Sequence, residues 1–86
     1  MPEISRFFGI VVTMYYAERE APHFHARYAG HKGRIAIEDL RIMDGDLPPR
    51  VRGMVIEWAT LHQQELRRNW ELARAQRALS EIAPLE

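Results

Sequence analysis

Two consecutive prolines, Pro48 and Pro49, divide this chain into unlike halves. Proline lacks the backbone N–H that a sheet ladder needs and fits a helix only in its first turn. No strand or helix interior can therefore run through the pair. Upstream, residues 4–46 read as a strand meander; downstream, residues 48–78 read as helical. A chain of 86 residues has room for one core, so a single domain over residues 1–86 is expected. The fold class that follows is α+β. An antiparallel sheet of three or four strands precedes a long C-terminal helix, or helix pair, packed on it.

Ile4 to Tyr16 is rich in aromatic and β-branched residues and forms the first strand candidate, with Gly9 marking a bend or bulge. Ala17 to Pro22 is charged, ends in proline and reads as a surface turn. His23 to Tyr28 alternates and reads as a second strand. Ala29 to Gly33, with two glycines, reads as a hairpin loop. Arg34 to Glu38 forms a third strand, and Arg41 to Met43 a short fourth, ended by Asp44-Gly45-Asp46.

Asp46 can cap a helix that has Pro48 or Pro49 in its first turn. From Arg50 to Ala78 there is no proline and one glycine, Gly53. Val51, Val55, Trp58, His62, Leu66, Asn69 and Ala73 share one stripe at helical spacing. One helix, or two with a break near His62 to Glu65, fits this pattern. Trp58 and Trp70 are expected in the core. Halfway along, the stripe turns polar at His62, Glu65 and Asn69. Polar groups on a core-facing stripe are costly unless paired. Either they face a polar cleft or the histidine strand, or the stripe rotates and Leu61, Leu66, Trp70 and Leu72 carry the packing.

The sharpest local feature is Pro22-His23-Phe24-His25-Ala26-Arg27-Tyr28. Alternate residues of a strand share a face, so His23, His25 and Arg27 project together and Phe24, Ala26 and Tyr28 project the other way. Two imidazoles at this spacing suit acid–base work on a phosphate ester, with Arg27 holding a phosphate oxygen. They also suit a metal. With no cysteine in the chain, further ligands must come from histidine or carboxylate. His62 is the candidate third histidine, and Glu65 and Glu20 are candidate carboxylates. Tyr16, at the end of the first strand, could serve a site with His25. No cofactor is expected, with a divalent metal as the alternative.

Twelve basic residues balance twelve acidic ones, which argues against nucleic-acid binding driven by bulk charge but leaves room for a local basic patch. Eleven of the twelve cations are arginine, a bias that base composition of the coding sequence explains. Arg67, Arg68, Arg74 and Arg77 lie towards the helix C-terminus, where the macrodipole favours them. No apolar run is long enough to span a membrane and no signal-peptide pattern opens the chain, so a cytoplasmic protein is expected.

Pro2 to Ile10, Pro22-His23-Phe24-His25-Ala26, Glu57-Trp58-Ala59 and Asn69 to Ala73 resemble the bacterial domain-of-unknown-function family 4160, over nearly the whole chain. Ala21 stands where that family commonly has a second proline, a difference confined to the turn. The resemblance implies a small bacterial protein encoded beside a second small domain of unknown function, numbered 2442. That pairing resembles a toxin–antitoxin module, with this chain as the toxin-like member and the neighbour as its protein partner; action on RNA through His23, His25 and Arg27 is the expectation of the strand argument. The family supplies no catalytic residues, so His23, His25 and Arg27 rest on the strand argument alone. A non-catalytic interaction module, using a sheet edge or the arginine-bearing helix, is the competing expectation. Homodimerisation would add core to so short a chain.

Overall fold

The computed structural model describes residues 2–86; Met1 lies outside the described residues. Strands β1 (Glu3–Phe7), β2 (Ile10–Thr13), β3 (His23–Tyr28), β4 (His31–Ala36) and β5 (Ile42–Gly45) precede helices α1 (Pro49–Leu61) and α2 (Gln63–Arg74). The strands form one sheet in sequence order, and every neighbouring pair is antiparallel. The architecture is α+β as expected, with five strands instead of three or four.

The extra strand comes from Phe8-Gly9. Phe8 has φ 50° and Gly9 φ 81°, the left-handed pair of a two-residue hairpin turn whose twist matches its flanking strands. The segment expected as one strand with a bend is therefore a hairpin. Ala29 and Gly30, at φ 47° and 85°, repeat the device between β3 and β4. That shortens the expected Ala29–Gly33 loop to two residues and starts β4 at His31. The final strand covers Ile42–Gly45, so Asp44 and Gly45 pair within the sheet instead of ending it.

The helical half is two helices. His62 (φ −124°) closes α1 and opens α2, within the expected break. Pro48 is the N-cap and Pro49 the first helical residue. The Asp46 carboxylate does not cap the helix; it accepts a hydrogen bond from the Lys32 amide at 3.2 Å. Helix α2 ends at residue 74, short of the expected 78. Gln76 takes φ 57°, and the Gln76 and Arg77 amides donate back to the Ala73 and Leu72 carbonyls. This left-handed turn satisfies the last carbonyls and stops the helix.

One core lies between the sheet and the helices. Ile4, Phe7, Ile10, Val12, Phe24, Ala26, Ile35 and Ile37 meet Val51, Val55, Trp58, Leu66, Trp70 and Ala73 there. Trp58 sits at its centre, with the Phe7 and Phe24 rings 5.5 and 5.8 Å away. The C-terminal tail returns to this core. The Ile82 amide donates to the Ile4 carbonyl and the Trp58 indole to the Ala83 carbonyl, each at 2.8 Å. Among the described residues, no helix is long and apolar enough to cross a membrane.

Candidate functional site

Strand β3 places its side chains as the alternation predicts. Phe24 and Ala26 are fully buried in the core, whereas Arg27 is exposed and His25 half-buried. His23, at the start of the strand, is also fully buried. Its ring lies 5.2 Å from that of His25 and 5.3 Å from that of Trp70 on α2.

The loop between β2 and β3 brings Glu18 to this pair. Its Oε1 accepts a hydrogen bond from His25 Nε2 at 2.8 Å. His23 Nε2 lies 2.9 Å from the same oxygen. Proximity is not alignment there: the nitrogen is buried and has no hydrogen-bond partner among the described residues. The other ring nitrogen of His23, Nδ1, is 2.8 Å from the Ala21 carbonyl. A carbonyl only accepts, so Nδ1 carries a proton. In the neutral ring, Nε2 then presents a lone pair to the carboxylate. The three donor atoms lie within 4.8 Å of one another. Tyr15 closes the outer side, edge-on to His25 with ring centroids 4.6 Å apart.

The remaining candidates go elsewhere. His62 pairs with Glu65, Nδ1 to Oε1 at 2.6 Å, and its ring lies 5.7 Å from Trp58. Neither residue belongs to the donor cluster. Helix α2 meets the histidine strand through Trp70 instead. Leu66, Asn69, Trp70 and Ala73 are buried while Leu61 is 67% exposed, so the stripe that starts at Val51 keeps its phase across the break at His62 and the rotated alternative does not hold. Asn69 is buried against the tail, where it binds Ser80. The Tyr16 hydroxyl donates to the Arg77 carbonyl at 2.9 Å. Glu20 pairs with Arg34.

Arg34 is the cross-strand partner of His25, and Asp44 is the partner of Arg34. The guanidinium binds Asp44 through Nε and Nη2, at 3.0 and 2.6 Å. That pairing holds the Asp44 carboxyl below the usual carboxylate range and raises the arginine further. His25, Arg34 and Asp44 line a cleft of about 360 Å³ with Lys32, Gly33 and Gly45. Two residues further along β3, Arg27 pairs across the ladder with Lys32. Both cations are exposed, and neither has a carboxylate within ion-pair distance among the described residues. With Tyr28 and His31 they border a second depression, of about 330 Å³.

Sequence reasoning missed Glu18. It sits five residues before His23 in an irregular loop, so no periodicity connects it to the strand, and its only advance signal was the charge of the turn.

Comparison with known proteins returned one family, described as Domain of unknown function (DUF4160), which matches residues 9–71. No curated protein and no solved structure matches the chain.

Proposed function

The chain belongs to the DUF4160 family, and from that starting point we propose that it is a small RNA-binding module of toxin type. The observation that carries this reading is the unpaired cation pair Arg27 and Lys32 on the sheet face away from the core. A pair of exposed cations is suited to a nucleic-acid backbone, because the phosphates take their charge. Net neutrality of the whole chain limits long-range steering, so binding depends on this local patch.

His25 is the residue this reading places against the RNA, two positions from Arg27 and oriented by Glu18. Full burial of His23 favours a supporting role for it behind Glu18 over direct proton transfer to a substrate. The protein partner is the product of the neighbouring gene, acting as inhibitor.

Fluorescence anisotropy with a single-stranded RNA oligonucleotide tests the reading. The double variant Arg27→Gln/Lys32→Gln should bind at least tenfold more weakly and flatten the log–log salt dependence by about 1.4, the share of two phosphate contacts on a single strand. RNA affinity equal to that of the parent would overturn it. Growth arrest on expression, relieved by the neighbouring product and lost in His25→Ala, tests the toxin assignment.

A second reading is favoured by the sheet edges. The β1 edge receives the tail through Ile82, whereas among the described residues β5 has only β4 as a ladder partner. A free edge strand accepts a partner strand. Loss of partner binding on placing proline in β5, with RNA binding unchanged, would favour this reading.

A further inference from the structure

We propose that Glu18, His23 and His25 form a binding centre for a divalent transition-metal ion, with zinc the best fit. The inference is independent of what the sheet face binds.

Three observations converge on it. First, the donor set is two imidazoles and one carboxylate, with all three donor atoms within 4.8 Å of one another. In tetrahedral zinc, bonds of 2.0–2.1 Å place donors about 3.3 Å apart. The His25–Glu18 and His23–Glu18 separations, 2.8 and 2.9 Å, require an opening of about half an ångström around the ion. Glu18 comes from a loop, where such a shift is cheap.

Second, the protonation pattern of His23 suits a ligand. Its Nδ1–H is held by the Ala21 carbonyl at 2.8 Å, the outer contact that commonly fixes the tautomer of a metal-binding histidine. The opposite nitrogen, Nε2, is buried without a hydrogen-bond partner among the described residues and is directed at the cluster. A lone pair 2.9 Å from a carboxylate oxygen is repelled unless a cation sits between them. A proton on Nε2 is the competing solution, and it would create a charged imidazolium in a fully buried residue. A shared metal neutralises the contact for both histidines at once.

Third, the surroundings exclude water on one side and admit it on the other. Trp70 lies against His23 and Tyr15 against His25, whereas the Glu18 and His25 side chains stay 26% and 21% exposed. Three protein ligands with an open side leave a coordination position for water or an anionic ligand, the pattern of a reactive site more than of a purely structural one. The absence of cysteine excludes a thiolate site, and the donors suit zinc, cobalt or ferrous iron better than calcium or magnesium.

The test uses the full chain without a histidine tag, stripped with chelator and titrated with zinc chloride against a chromophoric competitor. Cobalt chloride then serves as a spectroscopic reporter. The expected result is one equivalent of zinc and the intense visible bands of four-coordinate cobalt. Glu18→Gln and His25→Ala should each weaken zinc binding by about 100-fold, at the upper end of what even outer-shell contacts cost. His62→Ala should leave it unchanged. Because His23 is buried, His23→Gln could unfold the chain. Glu18→Gln, in an exposed loop, is the deciding variant, and its circular dichroism spectrum should match the parent. Substoichiometric zinc in the parent, parental affinity in folded Glu18→Gln, or an equal loss in His62→Ala would each overturn the proposal.

Discussion

Asn69 and Ser80 exchange two hydrogen bonds: the Asn69 amide donates to the Ser80 carbonyl at 2.8 Å, and the Ser80 amide donates to Asn69 Oδ1 at 2.9 Å. One side chain thus satisfies both backbone groups of a tail residue. Asn69 is 1% exposed, so its removal would strand those groups away from water. Asn69→Ala is expected to destabilise the protein by about 2–3 kcal/mol. Urea denaturation measures it. Release of the tail should also expose Trp58, whose indole donates to Ala83, and shift its fluorescence to the red.

Gly45 is irreplaceable for two reasons. Its φ of 114° is disfavoured for any L side chain, and a Cβ there would lie 2.3 Å from the Lys32 carbonyl oxygen and 2.4 Å from Gly33 Cα. Both obstacles are backbone, so neither can swing aside. Gly45→Ala should cost about 3 kcal/mol or more, through strain and loss of β5 pairing. A thermal melt within a degree of the parent would contradict this account of β5.

Ala29 occupies the first left-handed position of the β3–β4 turn, with φ 47°. Asparagine enters that region at lower cost than alanine, and Asn-Gly is the preferred pair for such turns. Ala29→Asn should therefore stabilise the protein by about 0.5–1 kcal/mol. An unchanged urea midpoint would show that the turn is held by its strands alone.

Asp46 sets an acid-side dependence. The Lys32 amide and then the His31 side chain hold its carboxyl below the ordinary range. The folded state therefore binds the proton less readily than the unfolded chain. The stabilisation is present above the unfolded value near pH 3.9 and fades as pH falls through the lower folded value. Asp46→Asn should lose stability at neutral pH yet converge with the parent below about pH 3. Urea midpoints measured from pH 7 downward check this. A constant gap at every pH would place the effect in hydrogen bonding instead of charge.

Local pattern carried much of the fold. The alternation of His23–Tyr28 corresponds residue for residue to β3, and the proline pair marks the change from sheet to helix. The break at His62 fell where the stripe turned polar. The two hairpin turns were harder to read, because Phe8 and Ala29 are not residues whose chemistry announces a positive φ. Their conformation is imposed by strand pairing on both sides.

The site divides the same way. The sequence by itself determined that two imidazoles and a guanidinium lie at alternate positions of one strand, because strand periodicity is a property of neighbouring residues. Which carboxylate meets the imidazoles was decided only by tertiary structure. Glu18 reaches the histidines and Glu20 reaches Arg34, although both belong to one charged turn. Likewise His62 was drawn to Glu65 and Trp58, and Trp70 took the place against His23. Loop path and the pairing of side chains between elements depend on contacts between residues far apart in the chain, and no local spacing encodes them.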